Sequence, residues 1–253
     1  MAGRLPGKVA IVTGATRGIG AAIATMFAAE GAAVVASGRD AALGAEVVGG
    51  IEAVGGEACF IAADVTDADA VEALVKGTVE RYGRLTTLVN NAALTGPMLD
   101  DTPLAAMSLD TLERAVQVNL VGNVRVTQCA LPHLLATGNA SIVNVSSLAA
   151  HAGFSHAAYS ASKGALDTVT RGLALAHARD GLRVNAVAPG VIQSSDTHVL
   201  LADPAFVTRV VDQIPLGRIG RPEDVAAACV FLASDEAAFI TKVILPVNGG
   251  VFP

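Results

Sequence analysis

Tyr159 and Lys163 stand four residues apart, a spacing that puts both side chains on one face of a helix. A phenol with an unperturbed pKa of ~10 is a poor proton shuttle near neutrality. An ammonium beside it favours the phenolate and brings that pKa down, which suits general acid/base work. Alone, such a pair also describes any amphipathic surface helix. Far upstream, Thr13-Gly14-Ala15-Thr16-Arg17-Gly18-Ile19-Gly20 joins an apolar run, Val9 to Val12, to a stretch of helical period. Glycines at such a junction let the backbone turn tightly and approach a pyrophosphate, while the helix start offers free N–H groups and a positive dipole. The spacing is G-x-x-x-G-x-G, and between a strand and a helix it reads as a dinucleotide cradle.

The elements that must position these groups alternate along the chain. Strands are predicted at Lys8–Val12, Ala32–Ser37, Ala58–Ala62, Thr87–Asn90, Ser141–Val145, Arg183–Ala188 and Val243–Val247. Most are apolar on both faces, as a sheet covered by helices on each side requires. Helices are predicted near 18–30, 40–54, 67–82, 108–137, 157–179 and 222–233. The third is expected to start on a capping box of Thr66 and Asp69, and the last on Pro222, Glu223 and Asp224. Asp40 reads as a helix cap. No repeat or polar linker divides residues 1–253, so the expectation is one doubly wound α/β domain with a parallel sheet. A long excursion, about 191–221, follows the sixth strand and is expected to be an unstructured substrate loop.

Composition narrows the function further. The chain has 253 residues, a net charge of −6 and no Lys/Arg cluster, which leaves no electrostatic footprint for nucleic acid. No stretch approaches the ~18 to 20 apolar residues of a membrane span. The short polar start, Met1 to Lys8, does not resemble a signal peptide. Cys59, Cys129 and Cys229 are widely spaced and suit thiols in a reducing compartment, without metal-ligand spacing. A cytoplasmic protein without a metal is expected.

Thr13-Gly14-x-x-x-Gly18-Ile19-Gly20 resembles the cofactor motif of the short-chain dehydrogenase/reductase family, and further landmarks follow in order. They are Asp64-Val65, Asn90-Asn91-Ala92-Ala93, Asn119, Ser146-Ser147, Tyr159-x-x-x-Lys163, Pro189-Gly190, Pro222-Glu223-Asp224-Val225 and Val247-Asn248-Gly249-Gly250. Ala93 departs from the family's usual Gly, and Lys242 stands where relatives usually have Gly. The resemblance spans residues 7 to 250 and implies a single Rossmann-type domain with a seven-stranded sheet. It also implies that Tyr159 is the general acid/base, that Lys163 assists it and binds the nicotinamide ribose, and that the Asn119 carbonyl helps hold a water. A serine is implied to hydrogen-bond the substrate oxygen. Ser147 matches by local sequence, whereas Ser146 fits the family's common thirteen-residue count to the tyrosine; Ser147 is preferred because loop length varies more readily than register.

Cofactor contacts are implied for Gly14, Thr16, Arg17, Gly18, Ile19 and Gly20 in the first loop, and for Ser37 and Arg39 after the second strand. Asp64 and Val65, Asn91 and Ala92, then Pro189, Gly190, Ile192 and Ser194 complete the set with Tyr159 and Lys163. NAD-preferring relatives carry an acid at the end of the second strand; here Gly38 stands there, beside Arg39, Ser37 and Arg17. Guanidiniums would accommodate a 2′-phosphate, which points to NADP(H). Enoyl reductases resembling this family place the tyrosine six residues before the lysine, which here is Ala157. The expected reaction therefore interconverts a ketone and a secondary alcohol. An NAD-dependent alcohol dehydrogenase working oxidatively, and a non-catalytic dinucleotide sensor, are the competing readings. The pocket wall is expected from Leu94, Thr95, Phe154, Ile192 and the 194–214 loop, with His151 and His156 nearby as solvent-facing residues or substrate contacts. A homotetramer is implied, its interface along the 108–137 and 157–179 helices through Ala158, Ala161, Ala165 and Leu166.

Overall fold

The computed structural model describes residues 3–251, apart from 96–98, 100, 153–156, 195, 196 and 198–200. Strand and helix alternate from the start: β1 (Val9–Thr13), α1 (Gly18–Ala29), β2 (Ala33–Gly38), α2 (Ala41–Ala53), β3 (Glu57–Ala62), α3 (Ala68–Tyr82) and β4 (Thr87–Asn90). The second half continues with α4 (Leu109–Val116), a π-helical turn (Gln117–Gly122), α5 (Asn123–Leu135), β5 (Ala140–Val145), a 3₁₀ turn (Leu148–Ala150) and α6 (Ala157–His177). It ends with β6 (Leu182–Pro189), α7 (Pro204–Val211), α8 (Pro222–Ala233) and β7 (Ile244–Val247).

All seven strands pair in parallel, in the order β3-β2-β1-β4-β5-β6-β7. Strand side chains alternate between faces, and both faces are apolar. Ala10, Val12 and Val34 pack with Ile23 and Phe27 of α1, Ile51 of α2 and Val230 of α8. Ile11, Val35, Leu88 and Ile142 pack on the other side with Leu74 of α3, Val126 and Ala130 of α5, and Ala174 of α6. The strand order reverses direction between β1 and β4, and a crevice opens there at the carboxyl ends of the strands, as doubly wound sheets require.

Four local expectations are corrected. The 108–137 helix is interrupted by the π turn around Asn119, an irregularity that frequently accompanies function. The cap of α3 is Asp67, whose carboxylate accepts from the Asp69 and Ala70 amides; Thr66 turns back onto Asp64 instead. The 191–221 excursion contains α7, capped by Asp203, and its base is closed by a bridge between Ile192 and Gly220. Ala158 and Leu166 lie on the face of α6 that is buried within the chain, so neither offers surface to a second copy. Asp40 caps α2 by accepting from the Leu43 amide, as expected.

Candidate active site

The crevice is a cleft of about 1420 Å³, and its floor at one end is backbone. Gly14 has φ 63°, and a Cβ there would sit 2.9 Å from the Ala92 Cα. A Cβ on Gly20 would lie 2.1 Å from the Gly14 carbonyl oxygen, so α1 can start this close to the loop only without a side chain. The loop is locked from across the switch point. The Asn91 side-chain amide donates to the Thr13 and Gly14 carbonyls at 2.9 and 3.0 Å, and the Thr13 hydroxyl accepts from the Asn91 and Ala92 amides at 3.0 and 3.1 Å.

Gly14, Thr16, Arg17, Gly18 and Ile19 line this end together with Ser37, Arg39, Asp64, Val65, Asn91 and Ala92. Lys163, Tyr159, Ser147, Pro189, Ile192 and Ser194 line the other end, with Leu94 and Thr95 on the wall. Three expected site residues do not line it. Gly20 is packed behind the loop, a Cβ on Gly190 would meet Asn248 at 2.9 Å, and Asn119 is fully buried. Phe154 and His156 lie outside the described residues.

At the mouth beyond β2, the Arg39 guanidinium is largely exposed and 3.8 Å from the Asp64 carboxylate. Burial works to raise the Asp64 carboxyl, but the Thr66 amide and hydroxyl and the Arg39 charge outweigh it and hold it below the usual range. A Cβ on Gly38 would meet the Thr16 methyl at 2.7 Å. Any side chain at 38 requires Thr16 to move.

The other end is built by side chains. Tyr159 and Lys163 share one face of α6, with the Lys163 Nζ 5.8 Å from the centre of the Tyr159 ring. Lys163 is 1% exposed and donates to the Val145 carbonyl at 2.7 Å. Burial pulls its pKa down to about 8, while the field of Asp167 acts the other way. Ser147 caps the 3₁₀ turn, its hydroxyl accepting from the Ala149 amide at 3.1 Å at the edge of the cleft. Ser146 is 2% exposed and lines the cleft beside it. Asn119 works as a brace: its side chain accepts from the Leu94 amide at 2.7 Å and donates to the Leu94 carbonyl and the Ser162 hydroxyl. Its own carbonyl accepts from the Asn123 side chain at 2.7 Å.

Sequence reasoning missed two of these residues. Asp101 is buried and its carboxylate accepts from the Ala158 and Tyr159 amides at 3.2 and 2.8 Å, supplying α6 with a cap from 57 and 58 residues away. Asn123 holds the carbonyl of the π turn. Asp101 carries no local signal, because the helix it caps is remote in sequence; an Asn four residues after Asn119 could have been read as a bond to that carbonyl.

A chain that offers backbone to a diphosphate at one end of a cleft, and a phenol beside a buried ammonium at the other, has the layout of a dinucleotide-linked oxidoreductase. A family model described as "Enoyl-(Acyl carrier protein) reductase" matches residues 14–252. The chain belongs to the short-chain dehydrogenase/reductase family. It is 40% identical over 253 residues to a 2,5-dichloro-2,5-cyclohexadiene-1,4-diol dehydrogenase of Sphingobium indicum, covering 99% of this chain and 98% of that one. It is 41% identical over 246 residues to a cis-4-hydroxycyclohexanecarboxylate dehydrogenase of Sinomonas cyclohexanicum, covering 96% of each. The solved structure of a 7α-hydroxysteroid dehydrogenase complexed with NADH and 7-oxo glycochenodeoxycholic acid is similar with a TM-score of 0.92, at 32% identity and over 98% of this chain and 95% of that one. Among the described residues no helix is long and apolar enough to cross a membrane, and no cluster of metal-ligating side chains occurs.

Proposed function

We propose that this protein is an NADP(H)-dependent oxidoreductase that interconverts an alicyclic ketone and its secondary alcohol. The observation that carries the reading is the Tyr159–Lys163 pair on one helix face at the end of a cleft whose other end is a glycine cradle. The excluded side chains at Gly14 and Gly20 fit a bound dinucleotide, whose nicotinamide supplies or accepts hydride. Tyr159 gives its phenolic proton to the carbonyl oxygen in reduction and takes the hydroxyl proton in oxidation. Lys163 holds a positive charge beside that phenol, and the Ser147 hydroxyl donates to the substrate oxygen as charge develops on it. Ala157, at the position where enoyl reductases of this kind carry their tyrosine, argues against reduction of a C=C bond.

The preference for NADP(H) is supported by the Arg17 and Arg39 guanidiniums on the cleft and by the Thr16 methyl filling the space an acid at position 38 would need. The ring substrate is supported by the cyclohexane and steroid alcohols in the names of the similar proteins. Ala161 and Ala165 remain as candidate contacts for a homotetramer along α6, and three free thiols are consistent with a cytoplasmic setting. The test is oxidation of NADPH and of NADH with cyclohexanone, 4-oxocyclohexanecarboxylate and a 7-oxo bile acid. Turnover of at least one ketone, faster in kcat/KM with NADPH, is expected. The Tyr159→Phe variant should lose ~10²–10⁴ in kcat while NADPH affinity stays within a few-fold. A variant with wild-type kcat overturns the mechanism.

A further inference from the structure

Asp167 is a buried acid that the proposed reaction does not use. It is 1% exposed and lies one turn beyond Lys163, so Tyr159, Lys163 and Asp167 follow one another along a single line of α6. The His151 Nε2 comes within 2.9 Å of the Asp167 Oδ2. Among the described residues, the groups whose fields reach this carboxylate are few. They are His151 from the 3₁₀ turn, the buried Ser146 hydroxyl from the end of β5, and Lys163 and Arg171 along its own helix. Desolvation pushes the Asp167 carboxyl up; Ser146, His151 and Arg171 oppose that push.

His151 is also part of the turn that Ser147 caps, for its amide donates to the Leu148 carbonyl at 2.9 Å. A contact from His151 to α6 therefore sets where the Ser147 turn sits against the helix that carries Tyr159. We propose that the His151–Asp167 pair is a positioning clamp for the active site, pinning the Ser147 turn onto α6 and giving Lys163 a fixed counter-charge. The proposal rests on the reading of Tyr159 and Lys163 as the proton-transfer pair. Neither His151 nor Asp167 touches the reacting atoms.

The sign of the effect follows from the line of charges. Removing Asp167 leaves Lys163 buried without its counter-charge, and Lys163 gives up its proton at lower pH than about 8. Tyr159 then stands beside a neutral amine at pH values where the wild type still presents an ammonium. Removing His151 takes away the 2.9 Å contact that ties the Ser147 turn to α6 and leaves Lys163 with its counter-charge.

The composition makes this directly readable. The chain has four lysines, so ¹³C-lysine NMR of the cofactor-free full chain shows few ε-carbon titration steps, and the step missing from Lys163→Met belongs to Lys163. Asp167→Asn should move that step down by about one pH unit, and Asp167→Glu should return it toward wild type. His151→Asn should leave the step where it is but lower kcat several-fold, and combining it with Asp167→Asn should add little to the loss from Asp167→Asn alone. A purely structural pair lowers Tm without moving the step. An unmoved step in folded Asp167→Asn, or fully additive losses of kcat, overturns the clamp. If Asp167→Asn does not fold, His151→Asn decides alone, a wild-type kcat overturning the clamp, because its side chain is 37% exposed. The lysine step needs no substrate, so a wild type that reduces no ketone sinks the functional reading and leaves that measurement to stand by itself.

Discussion

The two ends of the cleft are made in different ways. The floor of the nucleotide end is a backbone surface, laid down by the loop between β1 and α1 and braced from across the sheet by Asn91. The end proposed for proton transfer is a side-chain surface, assembled from β5, the π turn, α6 and the segment after β4. Its braces, Asn119 to Leu94, Asp101 to Tyr159 and Lys163 to Val145, join residues 18 to 58 positions apart. A diphosphate is bound wherever amides converge, and glycine spacing suffices to specify that. A proton shuttle needs a phenol, an ammonium and a hydroxyl held in register, which takes packing from several elements. The nucleotide end should therefore tolerate change except at its glycines and charges, whereas the catalytic end should respond to residues that never touch substrate.

The largest expected contrast is between the two serines of the catalytic end. Ser147→Ala should cut kcat by ~10²–10³, the range for losing one donor to a developing oxyanion. Ser146→Ala should cost less in kcat, because its hydroxyl is buried and acts on the Asp167 carboxylate. Steady-state kinetics on both variants checks the order, and a reversed order assigns the substrate contact to Ser146.

At the nucleotide end the expected effect is on choice rather than rate. If the cofactor is NADP(H), as proposed, Arg39→Asp removes a guanidinium from its 2′-phosphate, a charge-assisted contact worth ~1.5–3 kcal/mol. It also sets a second carboxylate near Asp64, whose present partner is Arg39 at 3.8 Å. The ratio of kcat/KM for NADPH over NADH should fall by more than about tenfold, since ~1.4 kcal/mol is a factor of ten. Arg17→Ala should lower it further. Assays with both cofactors at one salt concentration measure this, and an unchanged ratio means that Arg39 does not meet the phosphate.

The same division governs what could be read from the sequence. All seven strands and the glycine loop were legible because each depends on a short apolar run or on spacing within eight residues. Tyr159 and Lys163 were legible because an i, i+4 pair is local. Ala158 and Leu166 were misplaced at a surface: apolar spacing marks a buried face but does not say whether the chain or a second copy covers it. The 108–137 segment reads as one helix because a π turn leaves the hydrophobic pattern nearly intact, and only the bonds of Asn119 and Asn123 reveal it. Asp101 was invisible for the reason that makes it informative. Asp101→Ala should destabilise the fold by about 1–2 kcal/mol, as loss of a helix cap does, and should lower kcat a few-fold through the position of Tyr159. Thermal unfolding beside kinetics tests this; a drop in Tm with kcat unchanged would confine Asp101 to stability.

The smallest expected effect lies away from both ends, at Lys242. It has φ 67°, the one left-handed residue other than glycine among those described, and it stands just before β7 with its amide donating to the Val184 carbonyl at 2.8 Å. A side chain in that conformation costs roughly 1–2 kcal/mol, which a glycine avoids. Glycine in turn loosens the unfolded chain, which offsets about 0.4–1 kcal/mol of the gain. Lys242→Gly should therefore raise stability by about 0.5–1 kcal/mol, or roughly 2–3 °C in Tm at this chain length. Lys242→Ala separates conformation from charge, since it removes the ammonium but keeps the Cβ, and its Tm should not rise. Turnover and cofactor preference should be unchanged in both, because the residue touches neither end of the cleft. A Tm gain shared equally by the alanine variant would trace the effect to the lost charge and leave the strain argument without support.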